Sequence, residues 1–354
     1  MSSPTTNASA FTSSLRAAAS ARRALVSRAA TRVSATRRSR ARGYEDAFDA
    51  FASDRTGLIP RGSGGRLIGN GARGEGRARA RGSRIARAGA DDDVDWSEEM
   101  EEGDGEFVVE AFDTADELAD ALCLEVEENA RGCLEERGAF HMAVPGGSVA
   151  KALKGLADVE DIDWERVHIF FVNERPMEQK CAKLAAATWT KACGIPDENV
   201  HCVMQTEDMA AAAADYEEQM RSLDSLPIDE ENGLPVFDLI LLGMGADGHV
   251  GSVYPNSAAA LDESGSAVLA VDMPGKQSVT MSIPLINTAD RVVLAATGAE
   301  KAETVRASLE DELEWGEIPG SMVDAFSTIW FLDLGAASKL SAYDSMDMDG
   351  SDSD

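Results

Sequence analysis

Phe237-Asp238-Leu239-Ile240-Leu241 runs into Leu242-Gly243-Met244-Gly245-Ala246-Asp247-Gly248-His249-Val250-Gly251-Ser252, and the reading of this stretch decides the fold. The short apolar run reads as a buried strand. It ends in a glycine-rich turn that holds an acid and a histidine two residues apart. Glycine permits tight turns and close backbone approach because it carries no Cβ. A histidine on such a turn can sit at the carboxyl edge of a parallel sheet, where open α/β folds bind their ligands. The same residues also describe a plain strand-to-loop turn with a solvated histidine, so the weight falls on the flanking segments.

On both sides, apolar runs alternate with amphipathic stretches. Phe107 to Phe112 alternates like a strand, and Asp113-Thr114-Ala115-Asp116-Glu117 opens a helix with Leu118, Ala121, Leu122 and Val126 on one face. Further strands are expected at 140–144, 167–172, 237–242, 268–271, 279–283, 292–296 and 328–332, and helices over 149–156, 180–192, 209–223 and 300–309. This order predicts βαβ units, hence an α/β fold with a doubly wound, mostly parallel sheet and helices on both faces. One domain is expected over 107–335.

Charge separates the chain into opposed blocks. Residues 1–90 hold 18 arginines, no lysine and five acids, with no acid before Glu45, while the whole chain carries a net charge of −30. An arginine-rich, acid-poor start reads as an organelle transit peptide and stands outside the fold. Its cleavage is expected near Arg87-Ala88-Gly89-Ala90, ahead of an acidic linker over 91–106. A basic arm for nucleic acid is the rival reading of that block. The acidic remainder argues against a nucleic-acid partner, because phosphate contacts need clustered Lys and Arg. No apolar run reaches the ~18 residues of a membrane span. The residues over 336–354 are rich in Asp, Ser and Met and are expected to form a disordered acidic tail.

Cys123, Cys133, Cys181, Cys193 and Cys202 show no C-x-x-C spacing, so structural zinc is poorly supported and buried free thiols are expected. Among the four histidines, His141 and His168 lie in strand-like runs and read as packed side chains, while His201 lies in a loop with no evident partner. His249 alone occupies a turn suited to chemistry.

Three further segments carry donors. Val144-Pro145-Gly146-Gly147-Ser148 leads from a strand into a helix, and free N–H groups with a serine hydroxyl there suit an anion, although a simple serine N-cap has the same look. Asn173-Glu174-Arg175 closes another strand, and Arg175 offers a fixed fork of donors, either to a ligand oxygen or to one of the many surface acids. Gly298-Ala299-Glu300-Lys301-Ala302 places Lys301 in the first turn of a helix, where the dipole disfavours a cation unless an anion binds, or unless the lysine is simply solvated.

Together these four segments, in this order, resemble 6-phosphogluconolactonase within the glucosamine-6-phosphate isomerase and ribose-5-phosphate isomerase-like superfamily. The resemblance spans about Phe107 to Leu332. It implies a Rossmann-like, ribose-5-phosphate isomerase/CoA-transferase-like sheet and hydrolysis of 6-phospho-D-glucono-1,5-lactone. His249 is then the general base that takes a proton from water, as a neutral imidazole can near its ordinary pKa of ~6.5. Turn N–H groups or Arg175 would meet the oxyanion. Gly146, Gly147, Ser148 and Lys301 would hold the 6-phosphate. Asp247 is too near in sequence to be assigned as the hydrogen-bond partner of His249, and is read as orienting the imidazole or the turn.

No metal or organic cofactor is implied. The partner is a small sugar-phosphate lactone, the chain a monomer or small homo-oligomer, and the expected location the chloroplast stroma, with the mitochondrion as alternative. Departures from the family pattern lie on the binding side. Asn173 stands for an aspartate, Cys181-Ala182-Lys183-Leu184 replaces an Asp-Ser-Asn-Tyr-like segment, and Ser278 stands where an arginine precedes the Ile-Thr-Leu-Thr strand. These substitutions motivate a second reading, a plastid sugar-phosphate-binding or scaffold protein of the same fold that has lost turnover.

Overall fold

A computed structural model describes residues 84–87 and 106–341. The strands are β1 (Arg84–Arg87), β2 (Glu106–Phe112), β3 (Phe140–Val144), β4 (Val167–Phe171), β5 (Asn173–Glu174), β6 (Leu239–Gly243), β7 (Val268–Val271), β8 (Ser278–Met281), β9 (Arg291–Ala296) and β10 (Ser327–Asp333). The helices are α1 (Ala115–Arg137), α2 (Gly147–Ala152), α3 (Lys180–Thr188), α4 (Thr190–Cys193), α5 (Met209–Arg221), α6 (Ile283–Thr288), α7 (Ala302–Glu310) and α8 (Leu334–Ala337).

Seven strands form one sheet in the order β1-β2-β10-β9-β6-β3-β4, every neighbouring pair parallel. Alternation along each strand divides the core in two. Met142, Leu241, Val293 and Phe331 pack on one face with α1, α2 and α3, while Ala143, Leu242, Leu294 and Trp330 pack on the other with α5, α6 and α7. Local signals agree with this packing. The Thr114 hydroxyl accepts from the Glu117 N–H to cap α1, and Asp208 accepts from the Ala210 and Ala211 N–H groups to cap α5.

Because the strands are parallel, the turns after β3, β4, β6, β9 and β10 all emerge at the carboxyl edge. From β3 the chain steps outward to β4, then returns on the other side of β3 to lay down β6 and, beyond it, β9 and β10. The reversal lies between β3 and β6, which is where an open α/β sheet opens a ligand crevice.

Several expectations need correction. The runs at 268–271 and 279–283 do not join the main sheet. They form, with β5, a separate antiparallel sheet in the order β5-β8-β7, and Ile283 begins α6 under a Ser282 cap. Period-2 alternation looks the same in either sheet. The helix expected over 180–192 breaks at Trp189, whose φ of −150° leaves the helical region while its indole is buried. The tail does not start at 336, because Ala336, Ala337 and Leu340 are buried against the core. Arg84–Arg87 falls inside the block set apart as a transit peptide, yet pairs with β2, whose outer edge otherwise offers unpaired N–H and C=O groups. The rest of the 1–90 segment, the linker up to residue 105 and the tail from 342 lie outside the described residues.

Candidate active site

The turn after β6 is built around a histidine–carboxylate pair. His249 Nδ1 lies 2.5 Å from Asp247 Oδ1, and the His249 backbone N–H donates to the same oxygen at 3.2 Å. Proximity in sequence therefore does not prevent Asp247 from being the partner, as the sequence reading had held. The turn folds back tightly enough for residues i and i+2 to meet. A carboxylate only accepts, so in the neutral imidazole Nδ1 carries the proton and Nε2 the lone pair. Burial pushes the Asp247 carboxyl up, but hydrogen bonds from the His249 ring and backbone outweigh it and hold the group below the usual carboxylate value. The His249 side chain is 33% exposed, so the ring is open to solvent.

Glycine makes this pair possible at two positions. A Cβ at Gly245 would sit 2.2 Å from His249 Cε1 and Nδ1 and 2.8 Å from Asp247 Oδ1. Gly248 has φ +85°, which side chains rarely adopt, and a Cβ there would lie 2.4 Å from Ile318 Cγ2. The turn is also anchored from outside. The Thr304 hydroxyl on α7 donates to the Ala246 carbonyl at 2.7 Å, and the Gly320 N–H donates to the Gly248 carbonyl at 2.9 Å. The Tyr254 ring lies against His249, with centroids 4.9 Å apart.

Across the switch point lies a cleft of about 360 Å³, lined by Gly146, Gly147, Asn173 and Arg175, together with Lys151 and Lys180. Asn173 joins it to the histidine turn by donating from Nδ2 to Ser252 Oγ at 2.9 Å. Glu174 also lines the cleft, but its carboxylate is engaged by backbone N–H groups. It is 1% exposed and accepts the N–H groups of Arg175, Cys181 and Ala182 at 2.8, 3.2 and 2.9 Å, so it caps α3 and fixes the direction in which Arg175 leaves the strand. Arg175 reaches Glu178 at 3.5 Å and Lys180 reaches the same carboxylate at 2.5 Å, which leaves the rim cationic but partly balanced. Cys181, at the cleft floor, is no nucleophile at neutral pH, since burial and the neighbouring Glu174 push its thiol up to about 12.

The expected residues thus separate into groups. His249 and Asp247 meet directly, and Gly146, Gly147 and Arg175 share the cleft. Ser148 is exposed on α2 and does not cap it, because Gly146 holds the N-cap position. Lys301 ends the turn before α7, the helix that Thr304 ties to the histidine turn, and does not line the cleft. Lys151 and Lys180 were missed, because a lysine on an expected helix has no signature that separates a ligand contact from a solvated face. The expectation for His201 also fails. Its Nε2 lies 3.1 Å from His168 Nδ1 and its ring stacks on Phe170, far along the chain from where a local reading could look.

These features define an α/β protein with a histidine–carboxylate pair and a cleft lined by Arg175, Lys151 and Lys180 at the carboxyl edge of its sheet. Comparison with known proteins agrees. Residues 113–330 match the family described as glucosamine-6-phosphate isomerases/6-phosphogluconolactonase, and the chain belongs to that family. It is 36% identical over 247 residues to 6-phosphogluconolactonase 3, chloroplastic, of Arabidopsis thaliana, covering 66% of this chain and 75% of the relative. It is 32% identical over 246 residues to a probable 6-phosphogluconolactonase 3, chloroplastic, of Oryza sativa subsp. indica, covering 65% and 75%. Among solved structures, the 6-phosphogluconolactonase of Trypanosoma brucei matches with a TM-score of 0.56 at 25% identity, covering 67% of this chain and all of that one.

Proposed function

We propose that this chain hydrolyses 6-phospho-D-glucono-1,5-lactone to 6-phosphogluconate, the lactonase step of the oxidative pentose phosphate pathway, and works in a plastid, in the stroma. The observation that carries the reading is the Asp247–His249 pair on a glycine turn beside the switch point. Support comes also from family membership and from relatives named as chloroplastic lactonases.

In this mechanism, His249 Nε2 takes a proton from water as the oxygen attacks the C1 carbonyl, while Asp247 holds the ring in the needed tautomer and steadies the imidazolium that forms. Arg175, facing the cleft, meets the negative oxygen that develops at C1. Ring opening then returns the proton to the leaving oxygen. Gly146, Gly147 and Ser148 on one side and Lys301 on the other receive the 6-phosphate.

A carbon-to-carbon proton transfer, as in isomerising relatives, needs a carboxylate base. The matching position is Asn173, whose amide is already committed to Ser252. The reading as a lapsed binding protein is not favoured, since the base, its orienting acid and the arginine are all retained. The test is an assay of the purified protein with the phosphorylated lactone, corrected for spontaneous opening. Turnover well above that background is expected, and hydrolysis at the background rate would refute the reading.

A further inference from the structure

Lys276 is linked to His249 through one aromatic ring. The Tyr254 ring packs on the imidazole, and Lys276 Nζ lies 3.8 Å from the centre of that same ring. The ring quadrupole holds an ammonium in that place. Lys276 is exposed on a turn closed by its own N–H donating to the Met273 carbonyl at 2.8 Å, and it forms no ion pair among the described residues. The nearby acid is otherwise engaged, since Asp272 accepts from Gln277 Nε2 at 2.9 Å. Sequence sharpens the point. Between Arg221 and Arg291 the only Lys or Arg is Lys276, in a chain of net charge −30.

Strand parity gives a second, independent observation. Residues two apart share a face of a strand, so Ser278 and Thr280 point to the same side of β8. That side faces the histidine turn, because Thr280 Oγ1 accepts the Ser252 N–H at 3.1 Å. Position 278 is therefore aimed at the site, but it holds a serine that is 3% exposed and carries no charge. Lys276, two residues before Ser278 on the turn that leads into β8, carries the charge that Ser278 lacks.

We propose that Lys276, seated on Tyr254, is a specificity-determining residue that grips the anionic phosphate end of the substrate while C1 faces His249. The inference rests on the lactonase reading and adds a phosphate contact to it.

The test compares wild type with Lys276→Ala on the phosphorylated lactone and on unphosphorylated glucono-1,5-lactone. The expected result is that the preference for the phosphorylated substrate, as the ratio of the two kcat/KM values, falls about tenfold. This is the lower end of the loss for a hydrogen bond to a charged group. Lys276→Arg keeps the preference, and adding Ser278→Arg to Lys276→Ala restores part of it. An equal loss on both substrates would show that Lys276 only braces the turn, and an unchanged ratio would show that it touches no phosphate. Either outcome overturns the proposal. If wild type fails to hydrolyse the lactone, the lactonase reading falls by itself. Calorimetric binding of 6-phosphogluconate against gluconate, in wild type and Lys276→Ala, then still tests the phosphate contact.

Discussion

The two sides of the switch point are built differently. The histidine turn after β6 is local, with the carboxylate, the imidazole and the glycines that admit them lying within five residues, Gly245 to His249. The cleft across from it draws Gly146 from the turn after β3, Gly147 and Lys151 from α2, Asn173 and Arg175 from β5 and the residue after it, and Lys180 from the start of α3. A local site tolerates little change, because every neighbour is fixed by backbone geometry. A distributed cationic site can exchange one donor for another, and the departures that the family resemblance implies, Asn173, Cys181 and Ser278, all lie outside the histidine turn.

That contrast sets the order of expected effects. The largest belongs to Gly245→Ala. Its Cβ would displace the imidazole and the Asp247 carboxylate together, so kcat should fall by about 10²–10⁴, the whole contribution of a positioned base. KM should change little, which steady-state kinetics of the folded variant would show. Comparable loss in KM would mean that the turn also binds the substrate. Asp247→Asn comes next. It keeps the shape of the turn but removes the negative charge that steadies the imidazolium. It also lets an amide N–H face Nδ1, which favours the wrong tautomer, and kcat should drop by at least about 10².

At the lysine proposed to hold the phosphate, which lies outside the cleft, the effects are smaller and appear in binding. Lys301→Ala should raise KM for the phosphorylated lactone by about tenfold or somewhat more, as expected for one hydrogen bond to a charged group. The same variant should show little change with the unphosphorylated lactone. Equal losses on both would assign Lys301 a structural part.

The smallest effect is on stability and lies away from both sides. Burial lowers the pKa of His168 and His201 to about 4, helped by the neighbouring histidines of the stacked row. Both rings are neutral in the fold at a pH where the unfolded chain already takes up protons. Stability from these groups is thus full above the unfolded value of ~6.5 and declines as pH falls towards 4. The urea midpoint should drop between pH 7 and 4.5, and His168→Gln should flatten the decline. An identical pH dependence in that variant would remove the histidine row as its cause.

How much of this the sequence disclosed follows the same division. The β6 run and its glycine turn were legible because strand, turn and chemistry are contiguous. The parallel order followed from alternating elements. What stayed hidden was pairing at long range. Nothing in Val268 to Val271 or Val279 to Met281 says that they leave the main sheet, since that choice depends on β5, a two-residue strand. The His201–His168 contact and the packing of Leu340 likewise depend on the assembled core. The Asp247–His249 contact was missed for the opposite reason. It is so local that only the backbone path, with Gly248 at φ +85°, brings the two side chains face to face.

The most direct test of the account is kcat for folded His249→Asn on the phosphorylated lactone, after subtraction of spontaneous hydrolysis. Asparagine fits the space and can still donate to Asp247, but it cannot take a proton from water. The account predicts a fall of at least about 10² in kcat with KM little changed. Turnover near that of wild type in a variant with native circular dichroism would contradict it, and would move the base away from the glycine turn.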